Sequence, residues 1–269
     1  MLAEGDFFGE PHRIAVSRRS AHLWRLLSDD PRYSYYGRLV TLAEPGPDAA
    51  DVLCALARLQ GAAASYYYPA ARAADLFAEL EARGLKTDHH ELLRGSDQAF
   101  AAASEIERNQ ALPLDLSVRA IDADTPYELL AAVAALCLSC DVMPVPGAVM
   151  RGQVRKGVCL AAIDGSGRVV ATASSYLNHH SASSHATDAF WGMLATRHDR
   201  RGEKIALLLG AKAIVHMWQT HGARGFVTGV RADNASSQAV CNKLGFRSTD
   251  WILAECMDKE LFGAASLTK

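Results

Sequence analysis

Two short segments carry residue types that can hold an anion and act on it. The first runs Leu194-Ala195-Thr196-Arg197-His198-Asp199-Arg200-Arg201-Gly202-Glu203-Lys204-Ile205-Ala206. It reads as the end of a strand, a tight basic turn and the start of a helix. The first amides of a helix have no partner inside it, and the helix dipole adds partial positive charge there. A pyrophosphate fits such a terminus. Gly202 lets a ligand approach the backbone closely, and Arg197, Arg200, Arg201 and Lys204 surround the turn with charge. The second segment runs from Asp233 and Asn234 through Cys241 to Lys243-Leu244-Gly245-Phe246. Asn234 suits the junction of strand and helix because its side chain bonds local backbone, and Gly245 suits the stop. Three histidines (His179, His180, His185) and Asp188 lie in a polar stretch shortly before the first segment, where they supply proton acceptors. Taken singly, the first segment is as readily a solvated basic turn as an anion site, and the second is a capped helix.

These residues must be positioned by ordered elements, and the sequence from Leu116 onward supplies them. Leu116 to Ile121 alternates as a strand. Thr125, with Pro126 after it, predicts the start of a helix that continues to Cys140. Val158 to Ile163 and Arg168 to Tyr176 are strands joined by the turn Asp164-Gly165-Ser166-Gly167. Phe190 to Thr196 is a strand. Ile205 to Gln219 is apolar on nearly all sides, which predicts a buried helix. Gly225 to Val230 (strand), Ser236 to Leu244 (helix) and Trp251 to Cys256 (strand) complete the series. The order predicts a mixed α/β sheet with helices on its faces.

With the elements in place, the two segments resemble the GNAT acetyltransferases. That family's cofactor loop runs Arg/Gln-x-x-Gly-x-Gly/Ala at a helix start, and Arg201 and Ala206 match its ends. Its later motif runs from Asn to Lys-Leu-Gly-Phe, which Asn234, Lys243, Leu244, Gly245 and Phe246 match. The element order agrees from Leu116 to Cys256, roughly half of the chain. The resemblance implies a mixed, mostly antiparallel sheet flanked by helices, acetyl-CoA as acyl donor, and direct attack by a primary amine of a small molecule or protein. It also implies a cofactor site built from Met193, Leu194, Ala195, Thr196, Arg201, Gly202, Glu203, Lys204, Ile205, Ala206 and Asn234. The amides of Met193 to Thr196 would hold the pantetheine arm and polarise the carbonyl. Two departures stand out. Lys204 replaces the loop glycine, so its side chain either crowds the pyrophosphate or pairs with it. Cys241 replaces a tyrosine that many relatives use as general acid, so its thiol is either a proton donor or a packed helix residue. Relatives often place a glutamate base on the strand leading into the loop; here His185 and Asp188 are the candidates.

The first 112 residues read as a smaller N-terminal α/β domain, and 113–269 as the GNAT domain. An offset of 161 carries Gly61-Ala62 onto Gly222-Ala223, Gly84-Leu85 onto Gly245-Phe246 and Leu92 onto Leu253. The N-terminal half reads as a degenerate copy of the second portion of the C-terminal half, or else as a chance likeness of short strand-helix-strand units. Its counterpart of the cofactor loop, near Leu42-Ala43-Glu44-Pro45, is acidic and holds a proline, so one CoA site per chain is expected. Tyr66, Tyr67 and Tyr68 are expected on the wall of the acceptor cleft, or else in an ordinary aromatic strand.

Composition sets the outer bounds. The 269 residues carry a formal net charge of -2, with 49% apolar and 22% charged residues, which argues against nucleic acid as partner. No apolar run reaches a membrane span, and Met1 to Pro11 lacks the pattern of a signal peptide. A cytoplasmic protein with reduced thiols is expected. Cys137 and Cys140 form a C-x-x-C with no second ligand pair, so they read as small buried hydrophobes and no metal is expected. Besides acetyl transfer, two other readings stay open: transfer of a bulkier acyl group, and CoA binding without turnover.

Overall fold

The computed structural model describes residues 6–262; the first five residues of the acidic N-terminal stretch lie outside them. In chain order the elements are helix α1 (Pro11–Leu27), strands β1 (Tyr33–Tyr35) and β2 (Val40–Leu42), helix α2 (Ala49–Gln60), strand β3 (Ala62–Pro69), helix α3 (Ala73–Ala82), strand β4 (Lys86–Gly95) and helix α4 (Asp97–Asn109). They continue with strand β5 (Leu116–Ala120), helices α5 (Tyr127–Ser139) and α6 (Gly147–Met150), and strands β6 (Gly157–Asp164), β7 (Val169–Leu177) and β8 (Asp188–Thr196). Helix α7 (Ile205–His221), strand β9 (Gly225–Val230), helix α8 (Ala235–Lys243), strand β10 (Arg247–Met257) and helix α9 (Lys259–Phe262) complete the described chain. The sequence-based elements from Leu116 onward all form. One detail differs: Pro126, not Thr125, precedes the first turn of α5. The Thr125 hydroxyl is instead taken by Asp122, to which it donates at 2.8 Å.

All ten strands join one sheet in the order β1-β2-β3-β10-β4-β9-β8-β7-β6-β5. Only β2 with β3 and β8 with β9 pair in parallel; the other neighbours are antiparallel. The fold is thus the mixed, mostly antiparallel sheet that the resemblance implies. The order contains an exchange that strand patterning does not reveal. Strand β10 inserts between β3 and β4, and β4 inserts between β10 and β9. The centre of the exchange is the pair Glu91 with Ile252, residues separated by the same 161 positions as the sequence repeat. A repeat whose matching strands pair antiparallel at their own equivalent residues has a local two-fold relation. Around it β3 corresponds to β9, α3 to α8 and β4 to β10.

The boundary expected at residue 112 falls in the connection between α4 and β5, and packing crosses it. Helix α4 lies against α7, with Ala99 and Ala103 fully buried, Phe100 stacked on Trp218 at 4.7 Å, and Lys212 paired with Glu107 at 2.9 Å. The small residues of α4 let the two helices approach closely. Successive residues of β8 point to opposite faces of the sheet, and two cores follow. Trp191 joins Ile205, Leu209 and Ile214 of α7, with Cys241 and Leu244. Phe190 and Met193 join α5 and α6 through Leu130, Val133 and Val149, together with Tyr36, Tyr66, Tyr67 and Leu92 of the N-terminal half. Among the described residues no helix is long and apolar enough to cross a membrane.

Candidate active site

The site begins where two parallel strands part. Asp188, Ala189 and Phe190 of β8 pair with Gly225, Phe226 and Val227 of β9. Beyond Phe190 the two strands share no register, although β8 runs on to Thr196 and β9 to Val230. On its other side β8 bulges: Thr172 of β7 faces Ala195 and Ser174 faces Gly192. Met193, in the bulge, has φ 53. A bulge re-aims the strand's polar groups, here toward the gap. Backbone groups of Gly192 to Thr196 on the β9 side therefore lack strand partners and line an opening. The Thr196 hydroxyl is buried there without a hydrogen-bond partner.

At the end of β8 the basic turn leads into α7. Its charge is more committed than the sequence suggests. Arg197 is paired with Asp199 at 2.8 Å, and Arg200 with Asp115 and Glu203, each at 2.8 Å. These two arginines are therefore already engaged by acids, and the Glu203 carboxylate is held by Arg200. Arg201 and Lys204 have no acid partner among the described residues; both are exposed. Gly202 has φ 87 and nothing within 4 Å of where a Cβ would stand. Lys204 precedes α7 with φ 61 and ψ 16, and no side chain caps the helix. The amides of Ile205 and Ala206 thus face outward at the positive end of a 17-residue helix. The left-handed conformation at Lys204 explains why the related loop carries glycine at this position.

The later motif behaves as a scaffold. The Asn234 side chain accepts from the amide of Ser237 at 3.1 Å and from the Ser236 hydroxyl at 3.0 Å, capping α8. Cys241 is 1% exposed, in the core with Trp191 and Leu244. Burial pushes its thiol up to about 12. Cys137 and Cys140 are both buried free thiols, and no metal-holding cluster occurs among the described residues.

The structure brings His185 and Asp188 together, and adds partners the sequence did not reveal. Arg94, at the end of β4, clamps Asp188 through Nε at 3.0 Å and Nη2 at 2.8 Å. Tyr67 donates to the same carboxylate at 3.1 Å, and His185 Nδ1 lies 3.6 Å from it. Burial opposes the charge on Asp188, but the bonds from His185, Arg94 and Tyr67 outweigh it and hold the carboxyl well below the usual range. The His185 ring stacks on Tyr67 at 3.5 Å, and Tyr67 also meets His179 Nε2 at 3.3 Å. Burial pushes His179 down to about 3, so that ring is neutral. Gly225 is required here, because a Cβ would run into Asp188 Oδ1 and Arg94 Nη2. His185 and Tyr67 also line an open cavity of about 300 Å³ with Glu44, Arg72 and Trp251. That cavity sits beside the loop after β2, the N-terminal counterpart of the opening between β8 and β9. Of the expected tyrosines, Tyr66 and Tyr67 join the core shared with Phe190, and Tyr68 joins the core under α2 and α3.

An opened parallel pair and a bulged strand thus stand beside an uncapped helix start next to Arg201 and Lys204. Residues 141–246 match the family model of the acetyltransferase (GNAT) family. The chain carries a GNAT acetyltransferase domain. Enzymes of this family transfer an acyl group from coenzyme A to an acceptor, and residues 141–246 are similar to them. No curated protein matches the sequence. Solved structures do match the fold, across nearly the whole chain. A Drosophila protein at 13% identity covers 94% of this chain and 91% of its own, with a TM-score of 0.56. A GCN5-related N-acetyltransferase from Kribbella flavida at 17% identity covers 91% and 95%, with a TM-score of 0.54. A GCN5-related N-acetyltransferase-like protein from Streptococcus suis at 16% identity covers 90% and 99%, with a TM-score of 0.51. The GNAT domain and the N-terminal half therefore belong to one shared architecture.

Proposed function

We propose that the protein is an N-acetyltransferase that moves the acetyl group of acetyl-CoA to a primary amine, with one CoA site per chain. The observation that carries this reading is the opening between β8 and β9 beside the uncapped start of α7. Its donors suit the ligand: unpaired strand groups and the Thr196 hydroxyl for the pantetheine arm, and the amides of Ile205 and Ala206 with Arg201 and Lys204 for the pyrophosphate. Acetyl-CoA supplies an activated acyl group and a thiol leaving group. The strand amides at Met193 to Thr196 hold the carbonyl and stabilise the charge that grows on its oxygen.

An amine must lose a proton before it attacks. Asp188 and Phe190 lie on one face of β8, about 7 Å apart along the strand, so the Asp188 group stands on the acceptor side where the strands begin to part. Arg94 and Tyr67 fill the carboxylate, which suits Asp188 to positioning. His185, oriented by it, takes the proton through intervening water. Cys241 serves packing on this reading. A thiol near 12 is a poor donor to a thiolate whose own conjugate acid lies near 8.5. The loop after β2, with Glu44 and Pro45, supports a single CoA site. Six unpaired cysteines support a reducing compartment, the cytoplasm.

Calorimetric titration with acetyl-CoA tests the reading. One equivalent per chain is expected, lost in Gly202→Trp, and followed by release of free thiol when an amine is added. Two equivalents would contradict the single site. Binding without thiol release across amines would make the protein a CoA-binding module, and preferential use of longer acyl-CoA donors would change the donor.

A further inference from the structure

The acceptor side of the opening contains a buried cation without a counter-ion. Arg38, in the loop between β1 and β2, is 7% exposed. Its guanidinium lies over Tyr36 at 5.6 Å and Phe190 at 5.7 Å, and those two rings stack on each other at 4.0 Å. Its Nη1 reaches the Tyr36 hydroxyl at 3.5 Å. Its Nε and Nη2 are buried and have no hydrogen-bond partner, and no acid among the described residues pairs with it. The loop that carries it is wedged in place: Gly37, at φ 113, meets Pro146, Val145 and Val149 so closely that a Cβ has no room.

A second orphan donor belongs to a side chain bonded to the Phe190 backbone. Asn178 is fully buried and its Oδ1 accepts from the Phe190 amide at 3.2 Å, while its Nδ2 has no partner. Both donors thus flank Phe190, the last β8 residue paired to β9 before the strands part. Buried polar groups are nearly always satisfied. A guanidinium cannot relieve the cost of burial by giving up its proton. The two neighbouring rings offer no acceptor to the N–H edge, which stays unpaired. That free edge, Nε with Nη2, is the fork that binds a planar carboxylate through two parallel bonds.

Resting on the acetyltransferase reading above, we infer that the acceptor is a small amino carboxylate whose carboxylate docks on the Nε–Nη2 edge of Arg38, assisted by Asn178 Nδ2, while its amine faces the opening at Phe190. The N-terminal half then supplies the specificity of the reaction, and the C-terminal half supplies the CoA site.

The test uses the full chain, acetyl-CoA, and amino acids each compared with its decarboxylated amine and with an amino-alkyl phosphate of similar length. Thiol release should favour the amino acids by at least 100-fold in kcat/KM over the amines. Arg38→Met should bring that ratio to within about threefold, chiefly through KM, and Arg38→Lys should retain part of it. A second readout separates recognition from folding. Without ligand, Arg38→Met should melt at or above the wild-type temperature, because a buried unpaired charge is gone. With saturating free CoA, amino acids should raise the melting temperature of the wild type and not of Arg38→Met. Equal use of amines and amino acids would overturn the inference. So would preference for the phosphates, or an Arg38→Met variant that melts lower and keeps the wild-type preference. Failure of CoA itself to bind would refute the acetyltransferase reading and remove the inference with it.

Discussion

Lys204 stands in a backbone conformation made for glycine, which separates two effects of one side chain. At φ 61 and ψ 16 an L-residue pays about 1–2 kcal/mol relative to the right-handed region. Glycine removes that strain but returns about 0.5–1 kcal/mol through its freer unfolded chain. Lys204→Gly should therefore stabilise the fold by about 0.5–1 kcal/mol, a rise in melting temperature of about 1–3 °C. The same change deletes one of the two unpaired cations at the start of α7. An exposed charge-assisted contact to a phosphate is worth about 1 kcal/mol, so acetyl-CoA should bind about fivefold more weakly. The affinity of the wild type should also fall more steeply with added salt than that of the variant. Lys204→Ala is the control: it keeps the backbone strain and loses the ammonium, so it should lose the same affinity with little gain in stability. Calorimetry and thermal unfolding on the three proteins read both quantities. Tighter CoA binding by Lys204→Gly would refute the reasoning, since it would mean that the lysine obstructs the pyrophosphate. A lower melting temperature would refute the strain argument.

The Asp188 cluster gives three further outcomes. Gly225→Ala should displace the Arg94–Asp188 pair and cost about 2–3 kcal/mol in urea unfolding; an unchanged midpoint would show that the pair can move aside. Arg94→Ala leaves a buried carboxylate without its cation and should cost about 2–4 kcal/mol, toward the lower figure because Arg94 is partly exposed. Asp188 has a depressed folded pKa, so its stabilisation is fully present above the unfolded value of about 3.9 and is lost as pH falls from there toward the folded value. Arg94→Ala should flatten that acid limb, and a limb of wild-type steepness would place the effect on other carboxylates. Cys241→Ala should keep kcat within about threefold, while a loss of tenfold or more with unchanged CoA affinity would restore the thiol as proton donor.

The C-terminal half was readable because its signals are local. The alternation before Asp164-Gly165-Ser166-Gly167, the apolar run from Ile205 and the Asn234 cap each depend on neighbours in sequence. The 161-residue repeat was readable for the same reason, being anchored by Gly61, Gly84 and Leu92. What it did not disclose was that the repeated strands exchange places, because β4 and β10 carry no residue type that says which neighbour they choose. The turn from Arg197 to Lys204 reads as net basic, yet Arg200 is also paired with Asp115, 85 positions away. Arg38 offered even less: one arginine in a short loop becomes informative only when Tyr36, Phe190 and Asn178 are folded around it. The Tyr66 to Tyr68 run was visible, but its alternation hides a φ of 54 at Tyr67, which turns that ring toward Asp188.

The exchange of β4 and β10 also sets a timetable for biosynthesis. Strand β4 leaves the ribosome early, but both of its permanent neighbours, β9 and β10, belong to the far end of the chain. Some 150 residues separate the end of β4 from the start of β10. At roughly 5–20 residues per second, the nascent strand waits about 6–26 s for β9 and about 8–30 s for β10. An unpaired edge invites pairing with other nascent chains. The sequence of β4, Lys-Thr-Asp-His-His-Glu-Leu-Leu-Arg-Gly, is unusually charged for a strand that ends in the middle of a sheet. Lys86, Asp88, Glu91 and Arg94 are the residue types that discourage such pairing, and in the finished molecule Asp88 and Arg94 form ion pairs with Arg231 and Asp188.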